Sequence, residues 1–222
     1  MSKSIVIFGK GPSLLRCTKE FVNQYDDIAI CGYPYMNDFF YSLIQNKPIQ
    51  YHFANCGTFD DRYDDTMNER LHIQGIYNTN KHTSTQYLHF LKNKNLFKEH
   101  IREVKLDYFK KKFNLDPNTG TMALQYILDT TMYNKIALVG FDNFKKGEQV
   151  YYFQPNNYNH KIKYLIPQNV ITKEGIYNQI CGHCPIRTKK YYEYVFSHYS
   201  DIQFNLITNM SFSNTSVNTT KY

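Results

Sequence analysis

Short, apolar, β-branched runs alternate with amphipathic segments along most of this 222-residue chain, and that alternation restricts the folds it can adopt. Five runs have the length of buried strands, and they cover residues 4–9, 27–32, 49–55, 72–77 and 135–142. Segments with helical spacing lie between or beside them, at 13–24, 60–70, 84–96, 105–113 and 120–132. Near-continuous apolar runs are typical of parallel strands buried on both faces. The pattern predicts an α/β fold with a single doubly wound, mainly parallel, Rossmann-like sheet and helices on both faces.

One domain is expected over residues 1–207, since this length suits a single core. Residues 147–179 break the alternation, and their polar, Tyr- and Asn-rich composition indicates a lid-like insertion. A helix is predicted over 185–198, because it opens on a proline, which suits the first helical position. A last strand is predicted at 201–207. The tail 208–222, rich in Ser, Thr and Asn, is predicted to be disordered.

A formal net charge of +7 favours polyanionic partners. Many lysines fall in residues 92–114 at helical spacing, so this basic segment is either a solvated helix face or a surface that contacts a membrane or an acceptor. The five cysteines are an odd number and imply no disulfide framework. The apolar run near the N-terminus is too short for a signal peptide or anchor. We therefore expect a cytoplasmic protein, with a peripheral position at a membrane left open.

The stretch "FGKGPSLL" (8–15) follows the first predicted strand and opens the first predicted helix. Gly9 and Gly11 permit a tight turn, and a helix start offers N–H groups to an anion. The stretch lacks the third glycine of a dinucleotide fingerprint and the Gly-Lys-[Ser/Thr] of a Walker loop. It is therefore either a phosphate site or a plain strand-to-helix turn.

A second turn of this kind begins "DPNTGTMALQYIL" (116–128) and precedes another helix. Gly120 allows close approach there, and residues 116–119 cap and turn the chain. Two helix N-termini in an α/β sheet can converge on one ligand where the strand order reverses. The sequence therefore predicts one anion-binding crevice built from both motifs.

Taken in order, these motifs resemble the bacterial lipooligosaccharide sialyltransferases that use CMP-N-acetylneuraminic acid. The resemblance rests on "GKGPSL", Asn55 after the third strand, "NTGTMALQYILDTTMYNKIALVGFDNF", the Tyr-rich segment and the Gly-His before the late helix. Residues 117–142 are also similar to the small sialyl motif of animal sialyltransferases. The resemblance to the bacterial family covers most of residues 4–198.

The resemblance implies roles for particular residues. Gly11, Pro12 and Ser13 would pack on the phosphate and ribose, Asn55 would hold the donor, and Thr119 with Gly120 would meet the ribose or cytosine. Tyr151 or Tyr152 would donate to the leaving phosphate, and His183 would be the general base; the alternative for His183 is a purely structural role at the start of the helix that opens on Pro185. The full donor-binding set that we expect is Gly9, Lys10, Gly11, Pro12, Ser13, Asn55, Asn118, Thr119, Gly120 and Asp142. Lys10, Gly32 and Phe144 depart from the family, which has Asn, Asn and Tyr at these places.

The function implied is a metal-independent, inverting sialyltransferase that moves sialic acid from CMP-sialic acid to a glycan hydroxyl. No metal and no cofactor are expected. The partners are the nucleotide sugar and a glycolipid or oligosaccharide acceptor. A homo-oligomer is left open, and nucleic acid is not expected. Two alternatives remain: a transferase for another nucleotide-activated sugar, and a non-catalytic glycan- or nucleotide-binding module of the same fold.

Three other motifs have competing interpretations. Cys181-Gly-His-Cys184 spells a disulfide-exchange motif, but such a motif usually follows an early strand behind a Trp, and this chain has no Trp. A zinc site there lacks a second ligand pair. Acidic residues at 59–70 fit a helix start better than a metal site. Five histidines show no ligand spacing with one another and are interpreted as surface or packing residues: His52, His72, His82, His89 and His100.

Overall fold

A computed structural model describes residues 3–32, 38–54, 71–79, 95–142, 168–172, 175–179, 184–213 and 218–222. The strands are β1 (Lys3–Phe8), β2 (Asp27–Cys31), β3 (Ile49–Ala54), β4 (Ile76–Asn78), β5 (Phe97–His100), β6 (Tyr133–Val139), β7 (Gln168–Thr172), β8 (Gly175–Gln179), β9 (Gln203–Ile207) and β10 (Thr219–Lys221). The helices are α1 (Lys19–Val22), α2 (Asp38–Ile44), α3 (Ile101–Phe113), α4 (Thr119–Thr130) and α5 (Pro185–His198), with a 3-10 helix at Pro12–Arg16.

Eight strands form one sheet in the order β10-β9-β6-β1-β2-β3-β4-β5. All seven pairings in it are parallel. The chain moves outward from β1 through β2, β3 and β4 to β5 and then returns to β6 on the other side of β1. The strand order therefore reverses between β1 and β6, and the predicted α/β, Rossmann-like fold is confirmed.

Apolar side chains from the sheet pack into two layers, one on each face. On β1, Val6 and Phe8 join the layer beneath the 3-10 helix, α1 and α2, while Ile5 and Ile7 join the layer beneath α3, α4 and α5. Because successive side chains of a strand point to opposite faces, an apolar run buried along its whole length requires helices on both sides. Each layer is rich in aromatic rings, and Phe8, Phe40, Phe109 and Tyr191 are among the largest fully buried side chains.

Some element boundaries differ from the sequence-based expectation. The helix predicted at 13–24 is interrupted, because Cys17 and Thr18 are extended and the Thr18 side chain caps α1 by accepting from the Phe21 N–H at 3.2 Å. The strand predicted at 72–77 begins only at Ile76. The helix at 185–198 is confirmed. The predicted helices at 60–70 and over most of 84–96 lie outside the described residues.

The prediction of a disordered tail is corrected, and part of the lid-like segment has regular structure. In the tail 208–222, Thr219–Lys221 form β10, which pairs in parallel with β9, and the ring of Tyr222 packs edge-on against Phe21. Long-range pairing therefore orders a segment whose polar composition suggested disorder. Within the lid-like segment 147–179, β7 and β8 form an antiparallel hairpin, and the rest of that segment lies outside the described residues. Among the helices that the structure describes, none is long and apolar enough to cross a membrane.

Candidate functional site

The candidate site is the crevice at the carboxyl ends of β1 and β6, where the strand order reverses. Backbone hydrogen bonds join the two loops that leave these strands: the Gly9 N–H donates to the Val139 carbonyl at 2.7 Å, and the Gly11 N–H donates to the Gly140 carbonyl at 2.8 Å. Ligands of open α/β sheets bind outside the carboxyl ends of the strands at such a reversal. The two loops therefore place the predicted residues 9–13 and Asp142 on one site.

Close packing of protein atoms, rather than the approach of a ligand, explains why three of the positions singled out in the sequence are glycine. A Cβ atom on Gly9 would lie 2.5 Å from the Gly140 carbonyl oxygen, and one on Gly120 would lie 2.6 Å from the Phe141 ring. A Cβ on Gly11 would collide with the Asp142 carboxylate. The absence of side chains here lets the loop after β6 pack between the loop after β1 and the start of α4.

The Asp142 carboxylate ties three loops together. Its Oδ2 accepts from the Ser13 N–H at 2.8 Å, and its Oδ1 accepts from the Asn209 N–H at 2.6 Å and from the Thr208 hydroxyl at 3.3 Å. The Ser13 hydroxyl donates to the Ile207 carbonyl at 3.0 Å, and Ser13 is only 2% exposed. The N–H group expected to meet a phosphate at Ser13 is thus already satisfied by a built-in carboxylate. Ser13 and Asp142 hold the loops after β1, β6 and β9 in place.

The first turn of α4 lies at the same edge of the sheet. The Asn118 side chain caps the helix by accepting from the Thr121 N–H at 2.8 Å. The Thr79 hydroxyl, which follows β4, lies 3.5 Å from the Thr119 hydroxyl and donates to the Ala54 carbonyl at 2.7 Å. The first N–H groups of a helix have no partner within it, so a 12-residue helix that starts here directs partial positive charge toward the crevice.

A buried histidine supports the other flank of the crevice. His52 on β3 is 0% exposed, and its Nε2–H donates to the Gly32 carbonyl at 2.7 Å. Gly32, with φ +74°, also donates its N–H to the Phe53 carbonyl at 2.7 Å. This double clamp fixes the turn at the end of β2. Within the described part of the chain, Nδ1 of His52 has no hydrogen-bond partner.

The charge of Lys10 acts on this clamp. The pKa of His52 is lowered to about 4, mainly by burial; the charge of Lys10 acts in the same direction, and the hydrogen bond to Gly32 opposes the shift. Burial also raises the pKa of Cys31 to about 12, and Lys10 opposes that rise. The charge of Lys10 therefore acts on groups of β2 and β3, and His52 stays neutral at physiological pH.

Sequence reasoning missed two residues of this site, Thr79 and Thr208. The interpretation of His52 as a surface or packing residue agrees with its full burial, but its contact with Gly32 was not predicted. A signal was available for each of the three: His52 is a polar residue in the carboxyl-terminal half of β3, and each threonine follows a strand directly. All three side chains are buried near the carboxyl ends of the strands, where they hydrogen-bond to backbone carbonyls.

Four predicted residues lie outside the described part of the chain: Asn55, Tyr151, Tyr152 and His183. Cys184 is described, and it is the N-cap of α5, because its buried Sγ accepts from the Arg187 N–H at 3.5 Å. Cys184 therefore caps the first turn of this helix. The acidic segment 59–70 is also outside the described residues, and within them no group of three or more His, Cys, Asp or Glu side chains could hold a metal ion.

Fold and crevice together define a Rossmann-like α/β protein with a candidate ligand site at its strand-order reversal. No protein-family model matches the chain, and no curated protein matches it.

Proposed function

We propose that this chain is a glycosyltransferase that binds a nucleotide-activated sugar in the crevice, with CMP-sialic acid as the donor. One observation carries the proposal. Residues 9–12, the first turn of α4 and Asp142, which are far apart in the sequence, meet at the strand-order reversal between β1 and β6. These are the segments on which the resemblance to sialyltransferases rests, and ligands of this fold bind at that place.

The charges of the site suit a phosphate in one part of the crevice only. Asp142 is negative and already accepts from Ser13 and Asn209, so a phosphate beside it would be repelled. Lys10 and the first turn of α4 supply the positive potential instead. The proposed position for the donor phosphate is therefore between Lys10 and residues 118–120, where the helix dipole and the ammonium act together.

The proposed reaction displaces CMP with inversion. The acceptor hydroxyl oxygen bonds to the anomeric carbon of sialic acid, the bond from that carbon to the phosphate oxygen breaks, and CMP leaves with the electron pair. A base takes the hydroxyl proton, and hydroxyl or cationic donors stabilise the leaving phosphate. By the resemblance, His183 is the base and Tyr151 or Tyr152 the donor. His52 is unsuited to the role of base because it is fully buried.

A nucleotide screen tests the donor class. In the presence of EDTA, CMP should raise the melting temperature more than UMP, UDP or GDP, since a ligand at about 100 times Kd adds about 2.7 kcal/mol to the free energy of unfolding. Lys10→Met should weaken that effect. Lys19→Met is the matched control, because Lys19 is exposed on α1, away from the crevice.

Stabilisation by UDP or GDP instead of CMP would favour a transferase for another nucleotide-activated sugar. Binding of CMP without turnover would favour the non-catalytic module. If transfer occurs, His183→Ala should lower kcat by about 10²–10⁴-fold and leave CMP affinity unchanged, while Cys181→Ser with Cys184→Ser should retain most activity. No response to any nucleotide would overturn the proposal.

A further inference from the structure

Two neighbouring helices carry most of the net charge of the protein. Over its 13 residues α3 has five basic and two acidic side chains, a formal charge of +3, and α5 has three basic and one acidic, a formal charge of +2. Together they account for five of the seven net positive charges of the chain. They pack side by side through Phe109, Phe113 and Tyr191 on one face of the sheet.

Three of the eight basic side chains of these helices are exposed together at the end of α3. Lys110, Lys111 and Lys112 are all exposed. Lys111 lies 3.7 Å from Asp107, and both side chains are more than three-quarters exposed, so the pair neutralises little charge. Among the described side chains, neither Lys110 nor Lys112 lies within ion-pair distance of a carboxylate. The three lysines with Tyr108, Tyr194 and Arg187 form what we call the basic surface.

Aromatic rings sit among these lysines. The Nζ of Lys112 lies 3.6 Å from the centre of the Tyr194 ring and 5.5 Å from that of Tyr108. His198 stacks on Tyr194 with ring centres 4.9 Å apart. The Tyr194 ring is thus already engaged by two side chains of the protein itself. It offers a poor platform for stacking a nucleic-acid base.

We propose that the basic surface docks on an anionic phospholipid bilayer. Lysine side chains reach phosphate headgroups on flexible stems, and partly buried tyrosines suit the boundary between headgroups and acyl chains. The exposed large hydrophobic side chains of the described residues are Leu15, Met132 and Tyr222, and none belongs to this surface. The attachment is therefore electrostatic and weakens with salt.

The position of the surface gives this docking an orientation. An Arg187 guanidinium N–H donates to the Asn114 carbonyl at 2.9 Å, which joins the end of α3 to the first turn of α5. Asn114 lies four residues before Asn118, the cap of α4 at the crevice. A bilayer on the basic surface would lie beside the crevice. Membrane binding itself does not depend on the proposed chemistry.

Vesicle co-sedimentation tests the inference. The full chain is mixed with phosphatidylcholine vesicles that contain either no anionic lipid or about 30% phosphatidylglycerol. On the anionic vesicles, each lysine that lies near the membrane surface is expected to change the binding affinity about fivefold. Binding should require the anionic lipid and fall steeply with added salt. Lys110→Gln with Lys111→Gln should weaken it by about 25-fold. Arg16→Gln with Lys19→Gln, an equal charge change at exposed positions on the opposite face, should weaken it by less than about threefold.

Equal losses in the two double variants would show that net charge alone attracts the protein, and would overturn a defined surface. Absence of binding to anionic vesicles would overturn it as well, as would binding of a DNA oligonucleotide with none to vesicles. Melting temperatures of both variants establish that each is folded. Nucleotide binding should be the same in the wild type and both variants, so failure here is distinguishable from failure of the proposed function.

Discussion

Phe141 is the residue around which the crevice is assembled. Its ring stands between Gly9 and Gly120, which belong to the loop after β1 and the start of α4, and it meets Tyr192 of α5 at 6.1 Å. One side chain thereby sets the spacing of three elements. Gly9 faces backbone atoms of Gly140, which cannot rotate away. A side chain added at Gly9 could therefore be accommodated only if the backbone moved.

Gly9→Ala should therefore lower the free energy of unfolding by about 2–3 kcal/mol, the cost of overpacking a tight interior. Gly75→Ala is the matched control. Its added Cβ would meet side-chain atoms of Tyr77 and Lys98 at 3.0 and 3.1 Å, and these can move, so a loss below about 1 kcal/mol is expected. Urea unfolding measures both. Similar losses at the two positions would contradict the close packing of the loops after β1 and β6.

The second residue-scale prediction concerns pH. Unfolded His52 takes up a proton near its ordinary pKa of 6.5, whereas folded His52 does so only near pH 4. The contribution of neutral His52 to the free energy of unfolding is full above pH 6.5. It is lost as the pH falls to about 4, and the loss is about 3 kcal/mol in total. Urea unfolding over this range should show a shallower decline for His52→Gln than for wild type. Parallel curves would contradict a neutral, buried His52.

At the scale of elements, α4 links the crevice to the sheet. Its 12 residues begin at Thr119 with the Asn118 side chain bonded to the Thr121 N–H, and they lead directly to β6. The start of this helix was predictable because Asn is a favoured cap and a strong apolar repeat follows it. The break between the 3-10 helix and α1 was harder to predict. The apolar spacing continues across Thr18, and it does not show that Thr18 caps a new helix.

Asn118→Ala should cost about 1 kcal/mol in the free energy of unfolding, because the Thr121 N–H loses its acceptor. Asn118→Asp should keep the cap, since a carboxylate at a helix N-terminus accepts the same bond and favours the dipole. If the crevice binds an anion, however, Asp should weaken CMP binding through its charge while Ala spares more of it. Equal stability of all three proteins by urea unfolding would contradict the capping role.

At the scale of the whole molecule, the sheet and its two apolar layers were predictable because each central strand is apolar on both faces. The edges were not. β5 and β10 are short, and the polar side chains of β10 differ little from loop sequence, so only pairing with β4 and β9 reveals them. The crevice was foreseen at Gly9–Ser13 and Asn118–Gly120. Its internal hydrogen bonds were not, because Asp142 reaches Ser13 across 129 positions of sequence.

The place of β1 at the centre of the sheet has a consequence for how a nascent chain acquires its shape. Val6 pairs with Ile28, 22 positions later, but its other neighbour is Ala137, 131 positions later. On a ribosome, β1 can join β2 early, while its second edge stays open until residue 139 has emerged. An apolar open edge invites pairing with another chain. Because the Gly9 N–H needs the Val139 carbonyl, the crevice too must wait for that late arrival.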